Sequence, residues 1–274
     1  MKTAFVADST LGLPPEEAQA QGIHLVPQQV VLEGRSLRDY MEISQEEVLQ
    51  ALLEGKRLST SQVAPEDLRG LYETLLLSHD RVLSVHVSGK LSGTLATAQS
   101  VARAFGPRVL VLDSWSLNGG LQLVLEEARR LLKAGVAWER LEEAVAPYRA
   151  RVRGLVLPRT LTYLHRSGRI GGLQHFVGSL LNLLPILKVE GGLVQAGPRV
   201  RGFREGLRRM AELFHRDFPQ GAWVHLAHAG NLEAVQALRD LLQAEVLSVR
   251  QAGAAVSVHA GPGTVALFAG PRVG

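Results

Sequence analysis

The sequence contains no cysteine, which excludes disulfide staples, thiolate nucleophiles and cysteine-ligated zinc. It also lacks an apolar run of membrane-spanning length. The longest candidate, Phe176 to Val189, is interrupted by Asn182, Pro185 and Lys188, so no membrane insertion is expected. The opening Met1-Lys-Thr-Ala-Phe-Val-Ala-Asp8 carries one basic residue and an apolar run too short for a secretory signal, which makes cytoplasmic residence the expectation. A large excess of one charge is missing too. The formal net charge of +4 is small and scattered and gives no basis for a nucleic-acid partner. Local basic faces do occur, at Arg149-Ala-Arg-Val-Arg153 and from Arg199 to Arg209. What is present suits a folded chain: 274 residues with 46% hydrophobic and 20% charged content can build two moderate domains around a shared cleft.

The first half alternates two periodicities. Short apolar runs at Thr3–Ala7, Leu25–Leu32, Val82–Val87 and Val109–Asp113 read as strands. Between them lie helical patterns: one opening at Pro14, Ile43–Glu54 with a Ser44/Glu47 capping box, Pro65–Leu77, Thr94–Phe105, Leu121–Ala134 and Trp138–Val152. Such alternation predicts βαβ units on a parallel sheet. The second half predicts a strand at Leu155–Leu157, a hairpin of Ile186–Val189 with Leu193–Gln195 across Glu190-Gly-Gly192, helices at Glu205–Phe218 and Leu232–Leu242, and strands at Trp223–Ala227, Val246–Val249 and Thr264–Phe268. The expected fold class is therefore α/β, with an N-terminal parallel-sheet domain over residues 1–153 and a mixed, antiparallel-leaning α/β domain over 154–274.

Ligands in open parallel sheets bind beyond the carboxyl ends of the strands. Three hydroxyl-rich clusters fall there: Asp8-Ser9-Thr10, Ser88 to Thr94, and Asp113-Ser114-Trp-Ser116. The segment Ser88-Gly-Lys-Leu-Ser-Gly-Thr94 joins a strand to a helix, whose first N–H groups and dipole make an anion site, although an ordinary cap has the same composition. For Asp8 and Asp113, capping is favoured over a ligand role. Ser59-Thr60-Ser61-Gln62 adds a fourth cluster in the polar link from Lys56 to Gln62. His259-Ala-Gly-Pro-Gly-Thr264 ends the alternating run Ala255–Val258 in a sharp turn, where His259 reads either as a donor to an anion or as a structural histidine. Several sharper patterns fail. Around Lys90 the P-loop glycine and hydroxyl are missing, and Gly89-Lys-Leu-Ser92-Gly93 puts the serine one residue late for a nucleophile elbow. His225 and His228 are three apart on a predicted strand and point to opposite faces, so no metal site is evident.

Taken in order, these segments resemble the DegV family. The resemblance is carried by Asp8-Ser9-Thr10, Thr60-Ser61-Gln62, Leu91-Ser-Gly-Thr94, Asp113-Ser114, Gly168-Arg169-Ile170, Pro185-Ile-Leu-Lys188 and His259-Ala-Gly-Pro-Gly263. It implies a two-domain α/β carrier that holds a long-chain fatty acid in a buried tunnel between the domains, without another cofactor. Such proteins are similar to the fatty-acid-binding subunits of bacterial fatty-acid kinase, in which a separate ATP-dependent kinase phosphorylates the bound carboxylate and the acyl phosphate feeds phospholipid synthesis. Carried over by motif, Thr60, Ser92 and His259 would contact the carboxylate, Arg169 and Arg201 would face the kinase subunit, and Phe176 to Leu187 is a candidate tunnel lining. Departures fall at Val63, Gly89, Asn118 and Gln122, where the family commonly has Pro, Ser, Ser and Gly. The alternative is a serine hydrolase acting on an acyl ester through Ser92 and His259. The elbow spacing and the lack of a third residue to orient His259 stand against it.

Overall fold

A computed structural model describes residues 1–169 and 183–273. The chain runs β1 (Thr3–Asp8), α1 (Pro15–Ala20), β2 (Ile23–Val26), β3 (Gln29–Leu32), β4 (Arg35–Arg38), α2 (Gln45–Leu53), β5 (Leu58–Ser61), α3 (Pro65–Leu75), β6 (Arg81–His86), α4 (Thr94–Ala102), β7 (Val109–Asp113), α5 (Gly119–Lys133) and α6 (Leu141–Arg149). It continues through β8 (Arg153–Leu157), α7 (Thr162–Ser167), β9 (Leu183–Glu190), β10 (Leu193–Arg201), α8 (Phe203–Asp217), β11 (Ala222–His228), α9 (Leu232–Leu242), β12 (Val246–Gln251), α10 (Ala254–Ala260) and β13 (Val265–Pro271).

Strands β2-β1-β6-β7 form a parallel sheet, as the alternation of strands and helices predicts. Its period of two sorts side chains to two cores. Ala4, Val6 and Val82 face α3 and α4, while Ala7, Leu83 and Val85 face α5 and α6. The second sheet has the order β10-β9-β8-β13-β11-β12, antiparallel except for the β11–β12 pair. One of its faces buries Leu155, Ile186, Val224, Leu226 and Leu267 under α8 and α9. The opposite face presents Leu187, Val189, Ala227, Ala266 and Phe268 and meets Leu91 and Leu117 from the parallel-sheet half. The N-terminus of α5 joins the halves. A Cβ on Gly119 would meet His225 and Phe268, so only glycine permits this approach.

A small antiparallel sheet, β4-β3-β5, stands apart from both. Together with α2 it packs Val30, Ile43, Val48 and Leu52 against Ala254, Ala255 and Val258 of α10. An element from the chain's last tenth thereby completes a core begun near residue 30.

Four expectations need correcting. The run Leu25–Leu32 is two strands, β2 and β3, broken at Pro27-Gln28 and assigned to different sheets. The polar link from Lys56 contains β5, whose backbone pairs with β3 although its residues are mostly hydroxyls. The alternating run Ala255–Val258 is helical, and Trp138–Val152 is a short 3-10 turn followed by α6. The candidate tunnel segment Phe176 to Leu187 lies outside the described residues as far as residue 182. Its last described residues belong to β9.

Candidate functional site

A cavity of about 300 Å³ lies between the carboxyl rim of the parallel sheet and the face of the second sheet opposite α8 and α9. Apolar walls come from Val156, Leu187, Val189, Val194, Ala266 and Phe268. These side chains share the sheet face opposite α8 and α9, so alternation along β8, β9, β10 and β13 creates the lining. Another stretch of wall is polar, formed by Gln28, Thr60, Ser61, Gln62, Ser92 and His259. Among the described residues, no Asp or Glu lines the cavity, and Arg169 is the one Arg or Lys that does.

The hydroxyl clusters gather on the parallel sheet's rim, as the strand-end rule predicts, and they divide the work. Asp8, fully buried, accepts bonds from Thr10 N, Thr10 Oγ1, His86 Nδ1 and Val87 N at 2.5 to 3.1 Å. Ser9 Oγ donates to Asp39 and accepts from Gln28 N, and Thr10 reaches the cavity wall. Asp113 caps Trp115 and Gly89 through their N–H groups. The two aspartates hold the rim together, in keeping with their reading as caps.

The Ser88–Thr94 segment splits in two. Ser88 Oγ donates to Gly192 O at 2.7 Å and Lys90 Nζ to Gly191 O at 2.8 Å, which ties the rim to the β9–β10 turn. Ser92 faces the cavity, its hydroxyl donating to Thr94 Oγ1 at 3.0 Å and accepting from Thr94 N at 3.2 Å. Thr94 is buried and bonds the Gln28 amide at 2.9 Å and Val63 N at 3.3 Å. Gly93 sits against Gln62, so Thr60-Ser61-Gln62 runs beside Ser92-Gly93-Thr94. Sequence reasoning missed Gln28. The signal was the Pro27-Gln28 break, a polar residue where an apolar strand would continue.

His259 sits in the last turn of α10, with Nε2 2.7 Å from Thr60 Oγ1. Its Nδ1 is buried and has no hydrogen-bond partner among the described residues. Burial, reinforced by the Arg169 charge, pushes the imidazole down to about 4, so it is neutral near pH 7. The helix that carries it is anchored at its start, where Asp39 accepts from Ala254 N and Ala255 N at 3.1 and 3.3 Å. At its end Gly261 has φ 79° and packs against the Tyr163 ring, a place for glycine alone.

The structure therefore brings Thr60, Ser92 and His259 into one cavity and separates the two arginines. Arg169 is half-buried on the cavity wall beside His259, donating from Nη1 to Ser167 O at 2.5 Å. Arg201 ends β10, exposed and outside the cavity lining, and its backbone N–H donates to Glu205. Ser92 and His259 are not bonded to each other: the serine is held by Thr94 and the histidine by Thr60. The pairing that a hydrolytic dyad needs is absent from the described contacts. His225 and His228 lie on β11, and no group of three His, Cys, Asp or Glu among the described residues is placed to hold a metal.

These burials make acid destabilising. His225 is also pushed down to about 4 by burial and the Arg250 charge, so between pH 6.5 and 4 the unfolded chain binds protons at both imidazoles that the folded chain refuses. Asp39 acts in the opposite sense: burial raises it to about 6 against the bonds it accepts, and the folded form takes up its proton first. Two imidazoles against one carboxylate leave a net loss on the order of 1 kcal/mol per pH unit as pH falls from 6 to 4. Urea midpoints should decline over that window, and midpoints that hold or rise would contradict this balance.

Comparison with known proteins places these features in a lineage. A family model described as uncharacterised protein, DegV family, matches residues 2–272. A DegV domain-containing protein of Deinococcus radiodurans is 37% identical over 278 residues, covering 99% of each chain. Among solved structures, a DegV family protein from Thermus thermophilus, described by its fatty acid binding, superposes with a TM-score of 0.92 at 34% identity over 99% of this chain and 100% of that one. DegV from Bacillus subtilis, a fatty acid binding protein, gives 0.87 at 26% identity, with 99% and 100% covered.

Proposed function

The chain belongs to the DegV family, and from that premise we propose that it binds a long-chain fatty acid between a domain at 1–153 and a domain at 154–274 and presents the carboxylate to a separate ATP-dependent fatty-acid kinase. The acyl tail lies along the apolar sheet face, and the carboxylate rests on the hydroxyls of Thr60 and Ser92 with His259 beside them. The observation that carries this reading is the make-up of the cavity: apolar walls from one sheet face, with hydroxyls and a neutral imidazole on a wall that no carboxylate shares among the described residues. Neutral donors stabilise an anion without fixing it in the two-pronged grip of a guanidinium, which suits a nucleophile that must react. In the reaction a carboxylate oxygen attacks the γ-phosphorus of ATP held by the kinase, the bond to ADP breaks, and an acyl phosphate leaves for phospholipid synthesis. Arg169 and Arg201 belong to the surface that meets the kinase. Cytoplasmic residence follows from the need for ATP, and among the described residues no helix is long and apolar enough to cross a membrane.

Protein purified from a bacterial host and extracted with solvent should yield about one long acyl chain per polypeptide by mass spectrometry. Added ATP should leave that chain unphosphorylated until a kinase subunit is supplied. Well-folded protein that carries and takes up no fatty acid would overturn the proposal.

A further inference from the structure

Strand register sets the sheet wall of the cavity in two rows that run across the strands. One row pairs Ala227 with Ala266, Ala266 with Val156 and Val156 with Leu187. The next pairs His225 with Phe268, Phe268 with Gly154 and Gly154 with Val189, whose other neighbour is Val194. β13 starts beside the end of α10, where Thr264 Oγ1 donates to Ala260 O at 2.7 Å. It then leads away from His259, so Phe268 stands about 7 Å farther from that end than Ala266 does. Phe268 is the last residue of β13 on the cavity wall, and Gly270 beyond it is closed over by Tyr148 and Leu123.

Three glycines clear space for Phe268. A Cβ on Gly154 would lie 2.8 Å from the ring's Cε1, one on Gly120 3.2 Å from its Cδ1, and one on Gly119 3.2 Å from the Phe268 Cβ. Gly154 belongs to β8, whereas Gly119 and Gly120 open α5, so the ring is gripped between sheet and helix. None of the three has a positive φ. Their backbones are ones any residue adopts, and glycine weakens strands and helices. Clearance for the ring and its neighbours is what they supply.

Resting on the fatty-acid reading above, we infer that Phe268 is the end stop of the acyl channel and sets the longest chain the cavity accepts. With the carboxylate held at Thr60 and Ser92, a lengthening tail advances along the sheet wall toward the ring. A chain that is too long must displace a side chain packed on both sides, and close-packed interiors do not stretch to allow it. Without the ring, the glycines around it have no side chains to fill the space. An apolar void of that kind stays dry and takes an apolar guest. One methylene too many or too few against such a wall changes affinity by about tenfold to two-hundredfold.

The test uses the delipidated full-length chain, with even-numbered saturated acids from dodecanoate to docosanoate as probes. Wild-type affinity should climb with length to an optimum and fall about tenfold or more at the next longer acid. Phe268→Ala should move the optimum to an acid longer by about two to four carbons, the space the ring vacates. The first acid that wild type rejects should then gain about tenfold on the wild-type optimum. Phe268→Leu, which keeps an apolar side chain in the core, should shift the optimum less and in the same direction, and it decides the matter if Phe268→Ala does not fold. Loosened packing alone would weaken every acid alike and leave their ranking unchanged. An optimum that stays in place in the folded variants, or a wild type with no fall beyond its optimum, would overturn the end stop. Failure of wild type to bind any of the acids would instead sink the carrier reading on which the end stop rests.

Discussion

Asp8→Ala is expected to lower the unfolding free energy by about 3–5 kcal/mol, the cost of breaking a buried charged network from one side. The carboxylate is wholly buried, and its two oxygens accept from Thr10 N, Thr10 Oγ1, His86 Nδ1 and Val87 N. Burial alone would raise its pKa. The bond and charge of His86, with the Thr10 and Val87 bonds, outweigh that and hold the group below the usual carboxylate range. Stability from Asp8 is thus present above the ordinary carboxylate pKa and is lost as pH falls through the lowered value. Alanine leaves four donors without an acceptor in a site closed to water. His86 also bonds Ser84 Oγ, which accepts from Tyr72 OH, so the damage extends across β6 to α3. Urea denaturation of the variant, with wild type as reference, measures the loss. A change below about 1 kcal/mol would mean that the network is dispensable.

That network shows which parts of the protein are legible in its sequence. Strands β1, β6 and β7 of the parallel sheet are readable because each is an apolar run that ends beside a capping residue and is followed by a helical pattern, whereas β2 runs into β3 across Pro27-Gln28. The hydroxyl clusters could be placed on one rim for the same reason. β5 was not readable: Leu58-Ser-Thr-Ser61 has no apolar alternation and becomes a strand because β3 offers a partner edge. α10 was misread because Ala255-Val-Ser-Val258 alternates locally. Its helical form is decided by a carboxylate at residue 39 that caps it, a glycine at 261 that ends it, and a core supplied by α2. Each of these contacts except the glycine spans some two hundred residues, beyond any window of periodicity. The site followed the same division. Ser92 could be found from local pattern, whereas the Thr60–His259 contact joins the two misread elements and entered only through family resemblance. Arg169 also lines the cavity, a position set by the turn after α7 and not visible in local pattern.

The largest effect on ligand retention is expected from Thr60→Ala and His259→Ala, and the combination of the two carries the most information. Each single change should weaken fatty-acid binding by about 1.5–3 kcal/mol, roughly tenfold to a hundredfold, because a hydrogen bond involving a charged group is lost in a water-poor site. The double variant should bind no more than a few-fold more weakly than the worse single one. The reason is geometric. With Nε2 2.7 Å from Thr60 Oγ1 and the ring neutral, a proton on Nε2 donated to the hydroxyl oxygen turns the hydroxyl hydrogen toward the ligand. His259 then acts through Thr60, and its removal lets the hydroxyl rotate away. Paired groups of this kind show coupling of about 0.5–3 kcal/mol in double-mutant cycles. His259→Gln, which keeps a donor near that position, should recover part of the loss. Strictly additive losses would mean that His259 meets the carboxylate independently of Thr60, and no loss in either single variant would place the carboxylate elsewhere in the cavity. Ser92→Ala gives the contrast: its hydroxyl is held by Thr94, not by the pair, so its loss should persist whichever residue stands at 259.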